Sequence, residues 1–160
     1  MIIYMKPEFY LILPNIRSSH NVGAMFRTAD ACGVTKIFLV GYTPVPPRPD
    51  IHKVALGADE WVSWEQRKTL KPLLKSLKNN GVKIVALEKN EKSLPIETLS
   101  VSSPVALIVG NEVDGIPPDI LAFCDVVAHI PMRGRKESLN VSIAGGIGMY
   151  EIGNRLYRSL

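Results

Sequence analysis

Three polar, glycine-bearing stretches hold the residues of this chain whose types could do chemistry: Asn15–Gly23, Gly110–Gly115 and Pro131–Asn140. Asn21 lies in the first and Arg27 just beyond it. Glu112 sits inside Gly110-Asn-Glu-Val-Asp-Gly115, and Ser138 and Asn140 close the third stretch after three cations, Arg133, Arg135 and Lys136. Each stretch leaves an apolar run that reads as a strand, and in open parallel sheets ligands bind outside the carboxyl ends of strands. Taken singly, each has an ordinary reading. Asn-Glu-x-x-Gly can be a turn, Ser138 a helix cap, Asn140 a first-turn residue and Arg27 a solvated arginine. Three such stretches at three strand ends shift the balance toward a site.

Other chemistries are poorly supported. No GxGxxG follows the first strand, and Gly145-Gly146-Ile147-Gly148 falls in a helical pattern rather than at a strand-to-helix turn. There is no GxxxxGK[ST] and no GxSxG elbow, and none of the three histidines stands in a triad pattern. His129, closing an apolar strand, reads as a satisfied structural residue rather than a base. Cys32 and Cys124 lie far apart without CxxC spacing, which argues against zinc or a redox motif and for two small core residues.

The elements that must position these residues follow from hydrophobic periodicity. Phe9–Leu13, closed by Pro14, reads as the first buried strand, with Ser18 or Ser19 capping the helix behind it. Val22, Met25, Phe26, Ala29 and Cys32 form that helix's apolar stripe, and Gly33 ends it. Arg27 lies roughly 140° from Val22 around the helix and so faces solvent or a partner. Lys36–Val40, Lys83–Leu87, Val105–Val109 and Asp125–Ile130 read as further strands, and Trp61–Trp64 as a short one. Helices are expected over Ile51–Leu56, Leu70–Asn80, Pro117–Phe123 and about Leu139–Arg158. Tyr42–Asp50, with four prolines, is a stiff loop, and Glu88–Ser103 a mostly polar connection. Near-continuous apolar strands alternating with helices predict an α/β fold with a mostly parallel sheet covered on both faces.

Glycine in a helix interior costs up to about 1 kcal/mol relative to alanine, so Gly145, Gly146 and Gly148 imply backbone passing close by. The stripe Val141, Ala144, Gly145, Gly148, Met149, Ile152 and Leu156 is suited to burial. It can face either this subunit's sheet or a partner.

The 160 residues fit one domain with one core, and a net charge of +4 with a pI near 9.1 permits nucleic acid without requiring it. No apolar run approaches the roughly 20 residues that span a bilayer. The N-terminal Met1–Glu8 lacks the pattern of a leader, so the expected location is cytoplasmic.

Asn15–Ala29, Val109–Gly115 and Ile130–Ser142 resemble, in this order, the three motifs of the SpoU–TrmH family of RNA 2′-O-methyltransferases. The resemblance implies a deep trefoil knot at the C-terminal end of the α/β domain, where S-adenosylmethionine binds and leaves as S-adenosylhomocysteine. It also implies a homodimer whose active site is completed across the interface, with no metal and no membrane. By the same resemblance the catalytic residues are Asn21, Arg27, Glu112, Ser138 and Asn140. The cofactor lies against Leu87, Gly110, Asn111, Ile130, Met132, Ser138, Leu139 and Asn140. Arg17, Arg27, Arg133, Arg135 and Lys136 are candidate RNA contacts.

Methyl transfer to a ribose hydroxyl needs the oxygen held in line with the methyl carbon and water excluded. A guanidinium is effectively never deprotonated, so Arg27 is expected to bind a phosphate and stabilise negative charge rather than act as base. Glu112 is expected to orient Arg27 or support a loop. With almost nothing before its first strand and the last helix ending at Leu160, the chain is read as a single SpoU-type domain, 1–160, without an RNA-binding extension. That favours a compact target such as a tRNA loop. Two other readings are a catalytically silent RNA-binding or assembly factor on the same fold, and a generic nucleotide-binding α/β enzyme.

Overall fold

A computed structural model describes residues 5–158. The absence of a leader at residues 1–4 and the helix end at 159–160 lie outside the described residues. Seven parallel strands form one sheet: β1 (Phe9–Pro14), β2 (Lys36–Val40), β3 (Trp64–Arg67), β4 (Lys83–Leu87), β5 (Leu94–Pro95), β6 (Val105–Val109) and β7 (Val126–His129). Their spatial order is β3-β2-β1-β6-β4-β7-β5. The helices are α1 (Ser19–Ala31), α2 (Pro49–Ala55), α3 (Ala58–Trp61), α4 (Leu70–Asn79), α5 (Pro118–Phe123) and α6 (Val141–Arg158), with a 3-10 turn at Ile96–Thr98.

Alternation along the strands sorts the core into two layers. Phe9, Leu11 and Leu13 of β1, Ile37 and Leu39 of β2, and Val105, Leu107 and Val109 of β6 face the side covered by α1, α2 and α6. Ile12, Phe38, Val40, Ile84, Ala86, Ala106 and Ile108 face the other side, beneath Leu73, Leu74 and Leu77 of α4 and Ile120 of α5. Strands buried on both faces must be apolar at every position, which is why β6 reads Val-Ala-Leu-Ile-Val.

Several expected boundaries move. α2 begins at Pro49, inside the stretch expected as loop, because proline fits the first turn of a helix. Trp61 belongs to α3, and the strand behind it is Trp64–Arg67, a polar edge strand that among the described residues pairs with β2 alone. The Glu88–Ser103 connection contains β5 and the 3-10 turn, and its Ile96 and Leu99 are buried. The last helix begins at Val141, with Asn140 as its cap: Asn140 Oδ1 accepts from the Ser142 and Ile143 amides at 2.8 and 3.4 Å.

The apolar stripe of α6 faces this chain's own sheet and α1, with Met149 and Ile152 fully buried. The glycines act differently from expectation. A Cβ at Gly145 would meet Met25 Sδ at 3.1 Å, and one at Gly148 would meet Leu107 Cδ2 at 2.9 Å, so side chains fill those spaces. A Cβ at Gly146 would meet nothing nearer than Thr28 Cγ2 at 3.5 Å. Close backbone approach occurs one turn later, at Gly153, where a Cβ would stand 2.7 Å from the Cys32 carbonyl oxygen at the end of α1. Cys32 and Cys124 are half-buried free thiols, one against each core layer. Burial raises the pKa of both, that of Cys124 to about 11.

Because a backbone oxygen cannot swing aside, Gly153→Ala should force α6 away from α1. The expected loss is about 1–3 kcal/mol, read as a lower urea midpoint. An unchanged midpoint would mean the contact relaxes freely.

Candidate active site

The three polar stretches meet at the carboxyl ends of the strands, and a carboxylate joins them. Glu112 Oε1 accepts from the amides of Arg17 and Ser18, both at 3.1 Å, and from Asn21 Nδ2 at 3.1 Å. Its Oε2 accepts from the Arg17 amide at 3.0 Å. Asn21, although polar, is buried, and its Oδ1 accepts from Asn140 Nδ2 at 3.2 Å. Glu112, Asn21 and Asn140 thus form one chain of hydrogen bonds from the β6 loop through α1 to the start of α6.

Local sequence explains each station. Ser18 caps α1, accepting from the Asn21 amide at 3.3 Å. The first turn of α1 contains no acid, so Glu112 supplies the negative charge that a helix N-terminus favours. Burial pushes the Glu112 pKa up. The amides of Arg17, of Glu112 itself and of Ser18, with the Asn21 side chain, outweigh this and hold it below the ordinary carboxylate value. An acid so held stays ionised near neutrality and makes a poor proton acceptor.

Beside this chain lies a cleft of about 770 Å³, a size suited to a cofactor. Its floor is the ends of β4 (Leu87, Glu88), β6 (Val109, Gly110) and β7 (His129, Ile130), and its wall is Met132 and the segment from Lys136 to Val141. Gly110 and Gly115 come together at its edge: a Cβ on Gly110 would meet Gly115 Cα at 2.7 Å. The loop between them closes with paired bonds, Asn111 amide to Gly115 oxygen at 3.2 Å and the reverse at 3.1 Å.

All eight residues expected to hold a cofactor line this cleft: Leu87, Gly110, Asn111, Ile130, Met132, Ser138, Leu139 and Asn140. Of the residues expected to be catalytic, Glu112, Ser138 and Asn140 line it, and Asn21 bonds to two of these. Ser138 is exposed and does not cap α6. Arg27 is exposed on α1, away from the lining, and among the described residues it makes no ion pair; Glu112 supports a loop rather than orienting it. Of the expected RNA contacts, Lys136 borders the cleft, while Arg17, Arg133 and Arg135 are exposed outside it. Sequence reasoning missed Glu88, Lys89 and Glu137. Glu88 and Lys89 directly follow β4, so the strand-end rule applied to that strand would have found them. His129 is bonded through Nδ1 to Ser93 Oγ at 2.9 Å, as a structural residue should be, yet also lines the cleft.

The SpoU rRNA Methylase family model matches residues 8–150. The chain belongs to the SpoU methylase family. It is 37% identical over 142 residues to a 23S rRNA (guanosine-2'-O-)-methyltransferase, RlmB, of Acinetobacter baylyi, covering 88% of this chain and 57% of that protein. It is 36% identical over 147 residues to a tRNA (guanosine(18)-2'-O)-methyltransferase of Aquifex aeolicus, covering 91% of this chain and 69% of that protein. The crystal structure of an AdoMet-bound rRNA methyltransferase from Sinorhizobium meliloti superposes with a TM-score of 0.87 at 32% identity, covering 97% of this chain and 59% of that one. The SpoU fold is therefore an all-parallel α/β sheet here. The chain spans little more than half the length of the Acinetobacter relative. Among the described residues, no group of side chains could hold a metal ion, and no helix is long and apolar enough to cross a membrane.

Replacing Glu112 by Gln turns a donor toward the Arg17 amide and removes a charge-assisted acceptor. A carboxyl whose pKa is lowered by folding stabilises the protein above its unfolded value, and that contribution is lost as pH falls through the depressed folded value. Glu112→Gln should therefore cost about 1 kcal/mol at neutral pH, and urea titrations should find the gap closing as pH drops below about 4. A gap that stays constant down to acid pH would refute the assignment.

Proposed function

We propose that the chain is an S-adenosylmethionine-dependent RNA ribose 2′-O-methyltransferase, acting on tRNA or rRNA as a cytoplasmic homodimer. In this reading residues 1–160 form one SpoU-type domain, and the passage from β7 into α6 makes a C-terminal trefoil knot. The observation that carries the proposal is the single cleft at the ends of β4, β6 and β7, lined by every expected cofactor residue and tied to the buried Asn21 through Glu112 and Asn140.

The donor set fits the cofactor. Leu87, Ile130, Met132 and Leu139 offer apolar walls for a flat purine. Three carboxylates, Glu88, Glu112 and Glu137, against two lysines, Lys89 and Lys136, leave the lining slightly acidic, which suits a cationic sulfonium. Where Gly110 and Gly115 meet, backbone rather than side chain forms the edge of the cleft. S-adenosylmethionine supplies a methyl group on a sulfonium, and this chain's residues bind, orient and exclude water. Asn140 fixes the start of α6 against Asn21 and so sets the wall that carries Ser138 and Leu139. The free hydroxyl of Ser138 can orient the acceptor ribose. Arg27 holds a substrate phosphate and stabilises charge developing on the ribose oxygen, and the proton leaves through phosphate or water.

Arg27 stands outside the cleft of its own chain, which supports a site completed by the partner's Arg27. A silent RNA-binding factor would have no need of the continuous Glu112–Asn21–Asn140 chain of bonds.

Two measurements test this. Nucleoside mass spectrometry of RNA from cells lacking the gene should find one 2′-O-methylnucleoside depleted, and purified protein should restore it; an unchanged profile would sink the enzyme reading. Mixed dimers of an Arg27→Ala chain and a Ser138→Ala chain test the second point. If Arg27 acts across the interface, one site in each mixed dimer is whole, and activity should return from two inactive parents. Mixing that restores nothing would place Arg27 and Ser138 in the same site.

A further inference from the structure

At the rim of the cleft, Tyr42 is an exposed aromatic whose position the surrounding residues fix from several sides. It follows Gly41, at the end of β2, whose φ is +67°. A Cβ on Gly41 would fall 2.0 Å from Asn15 Oδ1, and that same oxygen accepts from the Tyr42 amide at 3.3 Å. Asn15 is itself in the left-handed region at φ +53°, a conformation that Asn adopts more readily than other non-glycine residues. Behind Tyr42, Thr43 is buried, its hydroxyl bonded to the oxygens of Leu13 and Val40 and to the Ile16 amide.

The far end of the side chain is fixed too. Asn111 Nδ2 donates to the Tyr42 hydroxyl at 2.9 Å and to the Asn15 backbone carbonyl oxygen at 2.5 Å, while Asn111 Oδ1 accepts from the amides of Val113 and Asp114. Asn111 lines the cleft. The phenol is thus held at the backbone and at the hydroxyl, yet Tyr42 remains 61% exposed. A scattered exposed tyrosine needs no explanation. This one is ordered by a network that leaves the ring face in solvent, so its burial does not account for the arrangement. A pre-ordered aromatic face loses little further entropy when a flat partner lands on it.

We propose that Tyr42 is a stacking platform for an unpaired base of the RNA strand whose ribose enters the neighbouring cleft. This inference rests on the methyltransferase reading for the identity of its ligand. Stacking on an aromatic side chain tolerates any base, so Tyr42 contributes affinity and holds the strand in position, and base choice falls to other contacts. The bond to Asn111 links the platform to the cleft. A base seated on Tyr42 is held against a residue that also borders the cofactor region.

The test is binding of total RNA from cells lacking the gene, measured by filter retention at one fixed salt concentration, with S-adenosylhomocysteine affinity by calorimetry in parallel. Tyr42→Ala should weaken RNA binding about tenfold or more. Tyr42→Phe and Tyr42→Trp, which keep a ring, should stay within about threefold of the wild type. S-adenosylhomocysteine affinity should be unchanged in all three. Tyr42→Ala binding RNA like the wild type would overturn the proposal. So would Tyr42→Phe falling as far as Tyr42→Ala, since the hydroxyl alone would then matter. A changed sedimentation coefficient in Tyr42→Ala would assign the ring to a second copy of the chain instead. If Tyr42→Ala also loses S-adenosylhomocysteine, Tyr42→Leu, with bulk but no aromatic face, decides in its place. Wild-type protein that binds RNA but transfers no methyl group would sink the methyltransferase reading and leave the platform standing. Wild-type protein that binds no RNA would sink the platform.

Discussion

The Glu112 carboxylate is the interaction on which the site's geometry depends. Two backbone amides and one side-chain amide converge on it from the turn between β1 and α1. Without an acceptor there, those donors at the start of a helix would be left to solvent, and the turn would lose its tie to the β6 loop. Through Asn21 the same carboxylate fixes Asn140, and through Asn140 the first turn of α6. Three segments, the first of them 91 or more residues from the other two, are thereby held as one surface. Charge-assisted bonds of this kind are roughly twice as strong as neutral ones, which suits a junction where small displacements would move every wall of the cleft.

The sheet supplies the frame for that junction. β1 and β4 both pair with β6, and β7 pairs with β4, so the ends of four strands lie side by side. The strands are parallel, and every chain segment leaving a carboxyl end emerges on the same edge. α6 then returns from β7 to lie on the sheet beneath α1, its glycine at 153 set against the Cys32 oxygen. Packing at the far end of α6 and capping at its near end act on one rigid element. The position of the cleft wall is therefore coupled to the core.

Division of labour follows from where the charges lie. The cleft is lined by the carboxylates Glu88, Glu112 and Glu137 with two lysines, Lys89 and Lys136, whereas Arg17, Arg27, Arg133 and Arg135 are exposed outside it. A cationic cofactor and an anionic polymer would be drawn to different parts of one surface. Arg27 faces outward because its position on α1 opposes the buried stripe of Val22, Met25, Phe26 and Ala29.

Much of this was legible in the sequence. Uninterrupted apolar runs marked β1, β2, β4 and β6, because a strand covered on both faces can carry little else. The stripes of α1 and α4 were equally plain, and the polar stretches at strand ends marked the site. The edge strands were not legible. Trp64-Glu-Gln-Arg67 is polar and half solvated, and Leu94–Pro95 is too short to show a period. The glycines of α6 advertised close packing but not its partner: side chains fill the space at Gly145 and Gly148, and only Gly153 meets backbone. By itself, then, the sequence determined the central strands, the buried stripes of the long helices, the outward face of Arg27 and which polar residues stand at the ends of the central strands, since each of these follows from local pattern and solvent. Tertiary structure alone decided that Glu112 serves the amides at the start of a helix distant in the chain, and that Asn21 joins it to Asn140. Those outcomes depend on strand order, and strand order is set by pairings between residues far apart in the chain, where no local pattern reaches.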